Sequence, residues 1–386
     1  MRGALVRARV AVSLFFLLYG TVLGTWTARI PAVKRGLGLG DGQLSVALLA
    51  FAAGAIAGMQ AAGRLVDRYG TAKIMLGTAL VDAVLLVLPA FAPNLPALVL
   101  CLFAFGTAHG ALNVAMNANA VQVQRARERP TMSSFHAVYS VGGFLGAVTG
   151  GLFARAGLAA STTFLTVAVA AVAVAILAGR WTLTADPGSA AADAPAPRAR
   201  LSGVAFLGVL VFCCLVGEGA AADWSAVYLR DSLGGTAGFA AAGYAAFAIA
   251  MTLGRLVGDR LAARLGPVTL VRASGALASF GLAAALLAGR PVAGVIGFGC
   301  LGAGLSCIAP QVFSAAGEQE PARAGQAIAR VAGLGFLGFV VGPVVIGGAA
   351  ELVGLPAALG IPVVLALFVA AAAPALRPRP PAPATA

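Results

Sequence analysis

Six ionisable residues lie within or at the edges of long apolar stretches of this 386-residue chain: Asp82, His109, His136, Glu218, Asp223 and Arg255. An ionisable group at membrane depth costs roughly 2.5–3.5 kcal/mol on insertion scales, and it ordinarily faces a cavity or a partner. Glu218 and Asp82 are therefore candidates for carrying a proton, because a carboxyl can take and release one where its surroundings tune it. Neutral polar groups accompany them. Asn113 and Asn117 are four residues apart and share one helix face, and His109 continues the stripe. His136 and Tyr139 form a second polar face. Amide, imidazole and phenol groups on otherwise apolar helices suit the hydroxyl or amide groups of a small solute.

Plainer roles stand beside these. The two asparagines can bond neighbouring helices, for about 0.6 kcal/mol each. His136 can be structural, and Asp82, which has no evident partner, can be neutral or paired in packing. Arg255 is near enough to the cytoplasmic end to snorkel, so a solvated position or an Asp67-type pairing is expected rather than substrate contact. Asp223 and Trp224 lie near an interface, where tryptophan anchors. Other chemistries lack their motifs: there is no P-loop, no HExxH and no GxSxG. An enzyme is not expected. The five cysteines (Cys101, Cys213, Cys214, Cys300, Cys307) show no CxxC or histidine-linked spacing, so they read as packing residues, with no metal and no cofactor.

The elements that must position these groups are membrane helices. Hydrophobic residues make up 60% of the chain and charged ones only 10%, against roughly 25% charged in ordinary soluble proteins. Crossing the hydrocarbon core takes roughly 20 apolar residues, and stretches of that length recur without the alternation of a barrel strand. The pattern predicts twelve spans, near residues 10–28, 43–63, 74–92, 96–120, 134–154, 158–179, 203–224, 237–257, 268–289, 292–315, 324–349 and 354–376. The fold class is all-α and polytopic. The first span resembles a signal peptide, but it has a counterpart in the repeat described next and reads as a retained helix.

Charge placement supports a bacterial-type inner-membrane topology with both termini cytoplasmic. Of 26 basic residues, Arg29, Lys34, Arg35, Arg155, Arg230 and Arg290 fall outside and the other 20 inside, as the positive-inside rule requires. The formal charge of +13 is thus topology, and nucleic acid is not an expected partner. The expected partners are the lipid bilayer and a small-molecule substrate, and a monomer is expected.

An offset of 196 residues superposes Gly58 on Gly254, Arg68 on Arg264, Gly70 on Gly266, Gly106 on Gly302, and Gly142 and Gly146 on Gly338 and Gly342. A two-residue gap adds Trp26 on Trp224. Each half then holds six spans in one orientation, a parallel repeat. The expected organisation is an N-terminal six-helix half over 1–180, a cytoplasmic linker over 181–202, a C-terminal half over 203–376 and a disordered tail over 377–386. Gly54/Gly58, Gly142/Gly146/Gly150 and Gly338/Gly342 are small residues at helical spacing that let backbones approach, and Pro343 predicts a local break. The polar candidates have no symmetric partners: His109, Asn113, Asn117 and His136 meet Leu305, Ala309, Phe313 and Ala332 at the same offset. Specific contacts are therefore expected from helices 4, 5 and 7.

Between spans 2 and 3 the chain reads Gly63-Arg-Leu-Val-Asp67-Arg68-Tyr-Gly70-Thr-Ala-Lys73. This resembles the loop signature of the major facilitator superfamily. The second-half counterpart, Gly258 to Gly266, keeps Arg264 but has Ala263 at the aspartate position. The resemblance implies that the loop latches the two halves on the cytoplasmic side, and only the first-half latch is expected to be intact. The segments around Trp26, Arg29 and Pro31, Asn113 to Asn117, His136 to Gly142, and Glu218 to Trp224 are similar to the fucose-permease-like branch, over about residues 10–376. This implies a twelve-helix alternating-access transporter with a central cavity, often proton-coupled, and adds Trp26 to the binding candidates. The branch bears an aspartate in helix 1 and a glutamate in helix 4. Here helix 1 has no acid, and Asn113 stands at the glutamate position. An amide cannot cycle a proton, so coupling, where it exists, falls first to Glu218, with His109, His136 or Asp82 as alternatives. Sugar-like uptake, drug or metabolite efflux, and a non-transporting sensor all remain open.

Overall fold

A computed structural model describes residues 2–183 and 201–377. Residues 184–200 of the expected linker (181–202) and 378–386 of the expected tail (377–386) lie outside those residues. The described chain is all-helical. Its main helices are α1 (Arg2–Gly36), α2 (Asp41–Tyr69), α3 (Thr71–Leu85), α4 (Leu95–Arg127), α5 (Met132–Arg155) and α6 (Ala160–Gly179), then α7 (Leu201–Val227), α8 (Ala237–Ala288), α9 (Pro291–Leu305), α10 (Ile308–Gln319), α11 (Ala324–Val353), α12 (Leu355–Ala358) and α13 (Gly360–Ala372). Helices satisfy their own backbone groups, which the interior of a bilayer demands. Large apolar side chains such as Leu100, Phe144, Leu287 and Val344 point outward, as a lipid-facing surface requires.

Eleven helical runs among the described residues are long and apolar enough to cross a membrane. One of them, Gly238–Ala288, has 51 residues. At 1.5 Å per residue it would measure about 77 Å, more than twice the ~30 Å hydrocarbon core. Its backbone leaves helical geometry at Gly266 (φ 73°, ψ 162°), just before Pro267. α9 and the turn after it pack against both sides of that break: Gly302 lies on Phe247, and Gly304 lies on Ser274 and Ala278. The run therefore doubles back at Gly266. Gly70, its counterpart at the 196-residue offset, also has positive φ (88°) and separates α2 from α3.

Several elements differ from expectation. α1 extends well beyond residues 10–28, and α7 passes 224 to end in a π turn at Tyr228–Ser232. The span expected over 292–315 is broken between α9 and α10, where Pro310 has no amide to give to the Ser306 carbonyl. Pro343 does not interrupt α11, which is held along α7 by the close approach of Gly338 to the Phe212 carbonyl.

Helix pairing repeats along the chain. α1 packs along α5 as α7 packs along α11, and α2 packs along α4 as α8 packs along α9. The offset recurs in individual contacts. A Cβ on Gly106 would strike the Phe51 carbonyl, and one on Gly302 the Phe247 carbonyl. Helices meeting backbone to backbone in this way fix their crossing to within a fraction of an ångström, because no side chain is there to yield.

Candidate functional site

The α1–α5 crossing sets the first part of the site. Gly20 and Gly24 lie against the α5 backbone at Tyr139 and Gly143, which brings Tyr19 beside Tyr139, with ring centroids 5.6 Å apart. The Tyr19 hydroxyl accepts a hydrogen bond from Asn113 Nδ2 (3.2 Å), and Asn117 Nδ2 donates to the Asn113 carbonyl (2.8 Å). The Tyr19 ring stacks on His109, 3.8 Å between centroids and 11° from parallel. The expected stripe of His109, Asn113 and Asn117 thus exists, and Tyr19, a residue the sequence reading passed over, organises it.

Asp82 has the partner that sequence did not supply. His109 Nδ1 stands 3.2 and 3.3 Å from its two carboxylate oxygens. Both residues are about 1% exposed, and Phe51 and Phe105 surround the imidazole. The pair joins α3 to α4, with Tyr19 of α1 and Phe51 of α2 against the imidazole.

Arg255 also departs from expectation. It does not snorkel: it is only 6% exposed. It donates from Nη1 to Ser140 Oγ on α5 (2.8 Å) and approaches Glu218 Oε1 on α7 at 3.4 Å. Cys214, one turn before Glu218, is 3.8 Å from the same oxygen. Three helices therefore meet at one ion pair, with the arginine tying α7 and α8 to α5. His136 lies one turn from Ser140, whose hydroxyl donates to the His136 carbonyl. Its ring is stacked on Phe313 of α10 and edged by Phe16.

The Trp26 ring is buried between Phe105 and Phe164, among α1, α4 and α6, and Phe105 in turn lies against His109. Asp223 is exposed.

The signature loop occupies one end of the molecule. Asp67 Oδ1 accepts from the Gly325 amide (2.8 Å), and Oδ2 accepts from the Gln326 amide and side chain (3.1 Å each). The carboxylate thus sits on the first amides of α11, where unpaired N–H groups and the helix dipole favour an anion. Gly63 lets α2 approach α11 at Gln326 and Ala329. Arg68 and Lys73 flank the Tyr69 ring at 5.1 and 5.8 Å, and Arg264 is exposed beside Gly266.

The second latch, expected to be lost at Ala263, is present one turn earlier. Asp259 Oδ1 accepts from the Ser133 amide (2.9 Å) and Oδ2 from the Ser134 amide (3.2 Å), at the start of α5. The signal was available: Asp259 precedes Ala263 by four residues and shares its helix face. Further bonds gather at this end. Gln60 Nε2 donates to the Ala329 carbonyl (3.1 Å), Gln124 Nε2 donates to Glu318 (2.9 Å) and to Ser314, and Arg125 donates to the Gly317 carbonyl. The helices before residue 183 and those after 201 are thus fastened at the end where α2, α4 and α10 finish and α5 and α11 begin. The Arg255–Glu218 pair lies one turn further in.

Known proteins offer a direct comparison. The model of the Major Facilitator Superfamily matches residues 11–319. An uncharacterized MFS-type transporter of Yersinia pestis is 36% identical over 376 residues, covering 96% of each chain. Membrane protein MosC of Rhizobium meliloti is 32% identical, covering 94% of this chain and 88% of its own. Among solved structures, the transporter FucP in its outward conformation superposes with a TM-score of 0.82 at 18% identity, over 97% of this chain and 99% of its own. The proton:xylose symporter XylE gives 0.75 at 13% identity, over 96% and 95%. By its sequence, the chain belongs to the Major Facilitator Superfamily.

Proposed function

We propose that this protein is a secondary transporter that moves a small polar solute across the bacterial inner membrane by alternating access, with proton coupling through Glu218. In this reading the run through Gly266 crosses twice, making twelve spans. These form two parallel six-helix halves over 1–180 and 203–376, joined by a cytoplasmic linker over 181–202. The latched end is cytoplasmic, in accord with the basic residues there, and both termini share that side. The protein works as a monomer without a cofactor.

The observation that carries the reading is the Arg255–Glu218 pair bonded to Ser140. A buried charge pair of one set of helices, hydrogen-bonded to the other set just beyond a double latch, couples what happens at the site to whether the latch holds. The solute then sits among Asn113, Asn117, Tyr139 and the charge pair, with His136 at the floor. His109 acts from behind Tyr19. The sugar:proton symport named for FucP and XylE favours proton-linked uptake as the direction to test first.

The test is a thermal-shift screen of sugars, polyols, organic acids and drugs on purified protein, since a ligand stabilises the state it binds. Flux of any hit is then measured in proteoliposomes with and without a pH gradient. Flux accelerated by the gradient in the wild type, and insensitive to it in Glu218→Gln, is the expected result. A gradient effect that persists in Glu218→Gln removes this residue from coupling, and binding without flux makes the protein a sensor.

A further inference from the structure

Arg255 is under-used. Guanidinium has five N–H donors in a planar fork. Here one reaches Ser140 and one reaches a single Glu218 oxygen at 3.4 Å, while Nε, buried, has no partner. Arginine–carboxylate pairs are commonly bidentate and near 2.7–2.9 Å, so this contact is a loose one. Resting on the transport reading above, we propose that the solute is a polyhydroxy monocarboxylate, whose carboxylate takes the open fork of Arg255 and displaces Glu218, which then binds one proton.

Charge bookkeeping selects this class. The empty site holds one guanidinium and one carboxylate, with no net charge. With a monocarboxylate on Arg255 and the proton bound to a Glu218 oxygen, the net charge is again zero. Both states can cross the conformational midpoint without an uncompensated charge in a low-dielectric interior. A neutral sugar leaves the arginine fork unfilled, and a phosphate dianion leaves an excess negative charge. One solute anion and one proton move together, and no bond other than the O–H of Glu218 is made or broken.

The groups around Glu218 are compatible with this exchange. They are Arg255 and Tyr244 on α8, Tyr139 on α5 and Cys214 on α7 itself, with His136 on α5 near Arg255 and Asp223 on α7 near Tyr244. From α11, Phe339 and Pro343 pack beside Gly219. Arg255 is the cation that Glu218 would lose. Tyr244 is eleven residues from Arg255, three helical turns along the same face, and is half-exposed. It marks the approach from the unlatched end. Away from the arginine run the hydroxyl and amide groups of Tyr139, Tyr19, Asn113 and Asn117. The Asn117 Oδ1 atom is buried without a partner, a vacant acceptor for a solute hydroxyl.

The experiment compares matched probes on the purified full chain: D-gluconate and D-galactonate against sorbitol and galactitol, with 6-phosphogluconate as the higher-charge control. Thermal shifts are read as dose series between pH 5.5 and 7.5. The aldonates should raise Tm while the alditols and the phosphate do not, and affinity should fall with rising pH, toward about tenfold per unit. Glu218→Gln should flatten that dependence and bind aldonate at pH 7.5 as tightly as the wild type does at pH 5.5. Arg255→Gln should lose the shift. Where that variant does not fold, Arg255→Gln/Glu218→Gln, which leaves no buried charge unpaired, gives the same reading. Alditols binding as well as aldonates, aldonate binding without a pH slope, or no binding by any probe overturns the inference. In each of those cases flux of another solute would still uphold the transport reading.

Discussion

Asp82 and His109 are 27 residues apart, on different helices, yet they form one enclosed pair. Breaking a buried pair by removing one member costs about 3–5 kcal/mol, because the survivor is left desolvated and alone. His109→Ala is therefore expected to lower Tm sharply, and Asp82→Ala/His109→Ala to cost less than the two single variants together. Thermal unfolding in detergent measures all three, and strict additivity would show that the residues do not interact. The same pair marks the limit of what residue spacing reveals. Asn113 and Asn117 were legible as a stripe because a four-residue interval is a property of one helix. Asp82–His109 and Glu218–Arg255 were not, because spacing along a chain says nothing about which helices become neighbours. Tyr19 was invisible for a related reason: within an apolar run, an aromatic residue with a working hydroxyl looks like one that only packs.

Each latch joins the last turns of a helical stretch to the first amides of another helix: α2 with α11 through Asp67, and the part of α8 before its break at Gly266 with α5 through Asp259. An anion at a helix N-terminus contributes about 0.3–1 kcal/mol when exposed and up to ~2 kcal/mol when partly buried. Removing it should weaken protection of those first amides by roughly 2- to 30-fold. Asp259→Ala is expected to speed hydrogen exchange in peptides covering residues 131–140, and Asp67→Ala in peptides covering 323–330. Each variant should leave the other peptide less affected. Equal acceleration of both peptides by either variant would show that the latches open only together. The all-helical architecture of the described residues was read correctly from apolar length, since a bilayer permits little else. Helix limits were not, because Gly266, Pro310 and the π turn after α7 bend or extend helices without ending the apolar run. The missing aspartate at Ala263 misled for the same reason. A helix presents one face through several residues, and Asp259 does from one turn away what a fixed motif position would have done.

The fastenings between the two sets of helices gather at one end, while half-exposed Tyr244 looks toward the other. That asymmetry describes a molecule closed at the latched end, and it predicts how access to the centre changes when the latches fail. With the five native cysteines replaced by alanine, Tyr244→Cys should react readily with an impermeant maleimide added from the unlatched side. Gln311→Cys, only 6% exposed and bonded to Ser133, should be protected from either side. At about 1 kcal/mol for each latch, Asp67→Ala/Asp259→Ala shifts the balance between closed and open by roughly 30-fold. Labelling of Gln311→Cys from the latched side should then rise by a similar factor, with labelling of Tyr244→Cys falling only as far as the closed state was depleted. If Gln311→Cys stays protected in the double variant, the closure is held by the packed ends of α2, α4, α10 and α11, and the two carboxylates only align them.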